Sequence, residues 1–251
     1  MSSYAGQHIW IIGCSTGIGN ALARELSEQG ATLILSARSL DKLDALNQEL
    51  GGKHLVCAFD TSDVEAMRDA ATMMMSRYPK LDRALFLAAM YSPHDGNRKE
   101  LGFIHKMVDV NLNGAFNMID VVQPIFEEQG RGQIVLCGSV AGYRGLPTGQ
   151  PYCATKAAII SLAETLKIDL EPLNIDVKLI CPGFVKTPLT DKNDFPMPMM
   201  IEAEDAARAI AKGMCARGFE IHFPKKFTFI MKFLRLLPNS LYFMISRRLN
   251  P

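Results

Sequence analysis

The chain has 251 residues, 48% of them hydrophobic and 21% charged. That length and apolar content suit one domain with a large core, so the whole chain can be globular. A formal net charge of +1 argues against a general nucleic-acid binder.

In chain order, apolar runs alternate with helical periodicity. Residues 1–7 run straight into the first predicted strand and lack the charged and apolar regions of a signal peptide, so a cytoplasmic location is expected. The pattern predicts a strand over 8–13, a helix over 17–29, a strand over 32–37, a helix over 40–50, a strand over 54–60 and a helix over 63–78. It continues with a strand over 84–88, one long helix over 103–127, a strand over 133–139 and a second long helix over 152–173. A strand over 176–181, a helix over 203–215 and a strand over 220–223 complete it. There is no internal repeat and no long linker. Such alternation implies an α/β fold, a parallel sheet covered on both faces, with ligands bound beyond the C-terminal strand ends. Gly13, Asp60, Ala89, Ser139 and Pro182 all fall there.

The most telling chemistry is Tyr152 and Lys156, one helical turn apart in Pro151-Tyr152-Cys153-Ala154-Thr155-Lys156. A free phenol, with a pKa of about 10, gives up its proton poorly at neutral pH. A lysine cation one turn away favours the phenolate and is expected to lower that pKa. Ser139 can hold a carbonyl oxygen beside the phenol. Such a set interconverts a carbonyl and an alcohol when a hydride partner is at hand. The glycine turn Gly13-Cys14-Ser15-Thr16-Gly17-Ile18-Gly19, directly after the first strand, is a candidate place for that partner. Its glycines permit a sharp turn and let a pyrophosphate approach a helix N-terminus, where unpaired N–H groups favour anions. An ordinary strand-to-helix turn is the alternative reading.

These residues carry a family resemblance over about 6–225. The chain resembles the short-chain dehydrogenase/reductase family in Gly13-x-x-x-Gly17-Ile18-Gly19, Asp60, Val110-Asn111-Leu112-Asn113-Gly114, Ser139, Tyr152-x-x-x-Lys156, and Pro182-Gly183 followed by Thr187. The resemblance implies a single doubly wound Rossmann-type domain of three layers over 1–224, with a seven-stranded parallel sheet in the order 3-2-1-4-5-6-7. It implies catalytic roles for Asn111, Ser139, Tyr152 and Lys156, with Asn111 distorting its helix to support a proton relay. It assigns the dinucleotide to the loop residues Gly13, Ser15, Thr16, Gly17, Ile18 and Gly19, to Asp60, Thr61 and Ala89, and to Tyr152 and Lys156. Pro182, Gly183, Val185 and Thr187 would cover the nicotinamide. A helix N-cap is the other reading of Asp60. A homodimer or homotetramer through the two long helices is also implied. Two departures stand out: Leu87-Ala88-Ala89-Met90 replaces the family's usual Asn-Asn-Ala-Gly, and Ile12 replaces a frequent threonine.

NAD-specific members of that family place a carboxylate after the second strand; here Ala37 is followed by Arg38. A guanidinium pairs with a 2′-phosphate, so NADP(H) is expected over NAD(H). The six cysteines contain no C-x-x-C pair and read as reduced small hydrophobes; no metal site is expected. After Thr187, the residues Phe195, Met197, Met199, Met200 and Ile201 are expected to form a mobile apolar lid, or to pack on the core. The lid reading points to an apolar carbonyl or alcohol as substrate. Residues 90–101 read as a polar loop with little substrate information. The tail over 225–251 interleaves cations with large apolar residues around Pro238 and carries no Asp or Glu. Two short amphipathic helices suited to the inner face of an anionic membrane, or to packing on the protein itself, are expected there. The alternative function is a membrane-associated, cofactor-binding regulatory or scaffold protein with little turnover.

Overall fold

The computed structural model describes residues 4–92 and 100–247. Seven parallel strands form one sheet in the order β3-β2-β1-β4-β5-β6-β7. They are β1 (His8–Ile12), β2 (Thr32–Ala37), β3 (Leu55–Ala58), β4 (Arg83–Phe86), β5 (Gly132–Cys137), β6 (Ile175–Pro182) and β7 (Glu220–Phe223). Apolar side chains alternate between the faces, as the two-residue strand period requires. Trp10 and Ile12 join one core, whereas Ile9 and Ile11 join the other. The first core is roofed by α3 (Val64–Arg77), α5 (Gly114–Gln129) and α6 (Tyr152–Leu170). The second is roofed by α1 (Gly17–Glu28), α2 (Leu40–Glu49) and α7 (Ala203–Met214). The expected doubly wound, three-layer architecture is therefore present, in one domain. Because the order reverses around β1, a crevice opens between the C-terminal ends of β1 and β4.

One predicted element is wrong in an informative way. The single helix expected over 103–127 begins earlier, as α4 (Leu101–Val108), and is interrupted by a wide π-type turn over Asp109–Asn113 before α5 resumes. Gly114 N–H reaches back to the Asp109 carbonyl across that turn. Apolar periodicity runs through the interruption, so side-chain pattern alone cannot reveal it. Strands β3, β4 and β5 end two residues before the predicted ends, although Phe59, Leu87 and Gly138 still donate to the neighbouring strands. The tail forms α8 (Lys225–Leu236) and α9 (Asn239–Ser246), divided at Pro238 as expected. Residues 93–99 of the polar loop, and Arg248 of the tail, lie outside the described residues.

His54, buried just before β3, ties three elements together. Its Nδ1 accepts from the Leu33 backbone at 3.1 Å, so the ring proton sits on Nε2, 3.0 Å from Ser27 Oγ. Burial, helped by Lys53, holds the imidazole at about 4 instead of 6.5. The unfolded chain therefore binds a proton more readily than the native one between those values. Native stability is full above the unfolded value and falls as pH drops towards 4. The expected loss is about 3 kcal/mol. Denaturant midpoints of wild type and His54→Gln across this window should diverge in slope, and parallel curves would refute the assignment.

Candidate active site

The glycine turn after β1 is fixed by close backbone approach. Gly13 has φ +99°, and a Cβ there would lie 2.4 Å from Ala88 N. Gly19 sits against the Gly13 carbonyl, where an added Cβ would come within 2.2 Å. Only glycines allow the turn, helix α1 and the end of β4 to nest this closely. The N-cap residue Thr16 makes no side-chain capping bond, and the first turn of α1 holds no acidic residue. The N–H groups of that turn thus remain available for an anion, and the donor set fits a pyrophosphate.

The other expected residues lie along the same edge of the sheet. Arg38 is exposed just past β2. Asp60 follows β3, where its carboxylate accepts from Ser62 N (3.0 Å) and Ser62 Oγ (2.8 Å). Burial raises that carboxyl, but the Ser62 bonds together with Arg38 and Lys106 outweigh it and hold the group below its ordinary range. The N-cap of α3 is Asp63, which accepts from Ala66 N at 3.0 Å, so Asp60 does not serve as that cap. Thr61 is buried against Gly114, and its carbonyl accepts from Asn117.

Ser139 follows β5. Its Oγ accepts from Ala141 N at 3.1 Å, which leaves the hydroxyl proton to be donated elsewhere, and the hydroxyl favours the ionised form of Tyr152. Tyr152 opens α6, half-buried, and Lys156 lies one turn on. The Lys156 ammonium is 2% exposed, donates to the Cys137 carbonyl at 2.8 Å and sits 5.6 Å from the Tyr152 ring centre. Here the expectation of a lowered phenol pKa needs correction for the protein alone. Burial pushes the Tyr152 hydroxyl up, the Ser139 hydroxyl opposing it, and the same burial pulls Lys156 down. Desolvation of both groups outweighs their mutual attraction.

Asn111 sits in the middle of the π-type turn, 1% exposed. Its amide is fully engaged: Oδ1 accepts from Met90 N (2.6 Å), while Nδ2 donates to Met90 O (2.9 Å) and Thr155 Oγ1 (3.2 Å). The segment Leu87-Ala88-Ala89-Met90, which lacks bracing amides of its own, is pinned through its backbone by this one side chain.

Sequence reasoning missed Tyr91. Its ring meets that of Tyr152 edge-on at 4.9 Å, and its hydroxyl donates to Asn193 Oδ1 at 2.7 Å. Lys192 Nζ reaches the Tyr91 carbonyl at 3.1 Å. An aromatic next to a strand end in the crevice was the available signal. The segment carrying Asn193 is the expected lid. Its base is closed by a bridge between Val185 and Ile201. Phe195 packs on Phe184 at 6.1 Å, whereas Met199 and Met200 are exposed. Ile201 packs on the core, so the apolar residues of the segment divide between the two expected readings. Thr187 lies beside Gly17, its hydroxyl 3.2 Å from that of Thr190.

Cysteines 14, 57, 137, 153, 181 and 215 are all free, and burial raises the thiols of Cys14 (to about 12), Cys57 (to about 11), Cys137, Cys153 and Cys181. The small-hydrophobe reading fits Cys14, Cys57, Cys153 and Cys181, which are buried; Cys137 is half-buried and Cys215 exposed.

Residues 7–196 match the short chain dehydrogenase family. An uncharacterised oxidoreductase of Myxococcus xanthus is 30% identical over 242 residues, covering 95% of this chain and 96% of that relative. Among solved structures, a short chain dehydrogenase/reductase from Burkholderia phymatum in complex with NAD superposes with a TM-score of 0.84 at 21% identity, covering 92% of this chain and 94% of the other. A gluconate 5-dehydrogenase from Burkholderia cenocepacia in complex with NADP and tartrate gives a TM-score of 0.75 at 25% identity, covering 82% and 87%. The glycine turn, the Ser139–Tyr152–Lys156 cluster and the extent of these matches agree: the chain belongs to the short-chain dehydrogenase/reductase family of oxidoreductases.

Proposed function

We propose that this protein interconverts a carbonyl and an alcohol on an apolar small molecule, using NADP(H) in preference to NAD(H). The observation that carries the reading is the Tyr152 phenol with the Lys156 ammonium 5.6 Å from its ring centre and the Ser139 hydroxyl acting on it, on the sheet edge that also holds the glycine turn. A bound nicotinamide supplies or accepts the hydride. Tyr152 then gives its proton to the carbonyl oxygen, or takes one from the alcohol in reverse. Ser139, its lone pair held by Ala141, aims its proton at the same oxygen and polarises it. Lys156 compensates charge on the phenol as the proton leaves, and its burial strengthens that interaction. Asn111 acts as a positioning residue, because its amide is consumed by Met90 and Thr155.

The first turn of α1 and the residues Ser15, Thr16 and Ile18 would hold the pyrophosphate. Asp60 and Thr61 would flank the adenine, and Ala89 the ribose. Pro182, Gly183, Val185 and Thr187 would cover the nicotinamide. Tyr91 is assigned a role at the substrate side, holding the lid over Tyr152 through Asn193. The half-buried Phe195 and Met197 support an apolar substrate. Assembly as a homodimer or homotetramer belongs to the proposal, and Phe116 and Ile168, exposed on α5 and α6, are side chains that such a contact could cover. A cytoplasmic location is likewise proposed; no helix among the described residues is long and apolar enough to cross a membrane. The low-turnover scaffold reading is not favoured, since the chain retains every group that the chemistry needs.

The test is oxidation of NADPH and NADH across a panel of apolar ketones and aldehydes, for wild type and Arg38→Ala. Wild type should favour NADPH. The variant should lose about tenfold or more of that preference, the order expected for one charge-assisted phosphate contact. An unchanged ratio would overturn the cofactor assignment; no turnover with either nucleotide, despite binding, would overturn the reaction.

A further inference from the structure

The tail is a docked platform: one face of α8 packs into the fold, and another leaves large apolar side chains exposed. The inward face of α8 places Thr228 and Met231 in the interior, and Lys232 pairs with Glu220 of β7 at 2.6 Å. Phe227 packs against Phe184 at 5.3 Å, beside Gly183. The corner between α8 and α9 is clasped by Arg144, whose guanidinium donates to the carbonyls of Leu234, Arg235 and Leu237 and lies 4.1 Å from the Tyr242 ring centre. Those carbonyls end a helix, where a cation is favoured. Tyr242 is itself buried and bonds the Gly145 carbonyl.

The outward face is apolar as well. Phe229, Ile230, Phe233 and Leu236, at helical spacing on one side of α8, are 60%, 50%, 63% and 81% exposed, although one edge of Phe229 meets the His222 ring at 5.3 Å. Phe243 and Met244 of α9 are each 52% exposed. Isolated exposed hydrophobics need no explanation, but a cluster of large aromatic and aliphatic side chains on two adjoining helices does. Lys225, Lys226, Arg235 and Arg247 are exposed on the same two helices or beside them and have no ion pair among the described residues. No Asp or Glu occurs from residue 221 to the end of the chain.

We infer that this face docks on an anionic lipid surface. Charge decides the occupant. A second copy using the same face would set cations against cations with no carboxylate to offset them. A phospholipid surface rich in anionic headgroups offers counter-charges to the lysines and arginines, and an acyl boundary to the phenylalanines. The helices are far too short to span, so they lie in the interface. The face is independent of the redox chemistry, and so is its test.

The full-length protein should be sedimented with vesicles of phosphatidylcholine and phosphatidylglycerol, and with phosphatidylcholine alone. Binding to the anionic vesicles, weakened by added salt, is expected. Phe229→Ser with Phe233→Ser should lower the partition coefficient about tenfold or more through lost apolar insertion. Lys225→Gln with Lys226→Gln should lower it about fivefold per lysine. Circular dichroism and thermal melting check that each variant is folded, and the lysine pair tests the surface even if the phenylalanine pair unfolds. No pelleting of wild type with anionic vesicles overturns the inference, as does equal pelleting of wild type and a folded variant. A wild-type oligomer that dissociates on the phenylalanine substitutions, without vesicle binding, would assign the face to a second copy instead.

Discussion

Tyr152→Phe is expected to slow carbonyl reduction by about 10²–10⁴, the range for losing a general acid. Nucleotide affinity should fall far less than the rate, because Lys156 and the other expected cofactor contacts remain, and the excess loss in rate marks a group acting in the transition state. The substitution removes one oxygen and keeps the ring, so the edge-on contact with Tyr91 at 4.9 Å has no reason to change. Lys156 retains its bond to the Cys137 carbonyl, so the base of the site stays in place. The remaining hydroxyl, on Ser139, can polarise a carbonyl but is too weak an acid to replace the phenol. Single-turnover measurement of hydride transfer, with nucleotide binding followed separately by fluorescence, checks both halves. A Tyr152→Phe enzyme as fast as wild type would remove Tyr152 from the mechanism.

The second large effect concerns backbone approach. Gly13→Ala should destabilise the protein by about 2–5 kcal/mol, combining a strained φ with overpacking. The new methyl would meet Ala88 N at 2.4 Å, Ala88 Cα at 2.7 Å and the Leu87 carbonyl carbon at 2.8 Å, all main-chain atoms that cannot rotate away. Either β4 or the glycine turn has to move, and both border the crevice. Nucleotide binding should therefore weaken as stability falls. Gly51→Ala is the control: its φ is +91° but nothing lies within 4 Å of the added methyl, so only the conformational cost of about 1 kcal/mol remains. Urea unfolding of the two variants separates the terms. Equal losses would show that the contact with Ala88 is not what requires a glycine at position 13.

Much of this was legible in the sequence because parallel strands buried on both faces read as continuous apolar runs. His-Ile-Trp-Ile-Ile and Gln-Ile-Val-Leu-Cys leave little choice, and in a parallel sheet every C-terminal strand end shares one edge. The convergence of Gly13, Ser139 and Pro182 follows from that geometry. What stayed hidden depends on partners remote in the chain. Nothing near Tyr91 reveals that Asn193, 102 positions on, accepts its hydroxyl. Nothing near Arg144 points to carbonyls at the end of α8. The π-type turn at Asn111 could not be read from periodicity, because the side chains keep a helical rhythm while the backbone spacing changes; only the family resemblance pointed to a distorted helix there. The electrostatics of the Tyr152–Lys156 pair were misjudged from spacing alone, because spacing says how near two charges are and nothing about how dry their surroundings are.

Arg144 also bears on how deletions in this protein will behave. It sits in the same connection between β5 and α6 as Ser139, so cutting away the terminal helices would strip three carbonyls and an aromatic ring from a guanidinium in that connection. Glu220 would lose its cation, and Met231 would leave a hole in the interior. A shortened protein would therefore be destabilised whether or not it ever meets a lipid, and the two contributions part company only under single side-chain replacements on the outer surface.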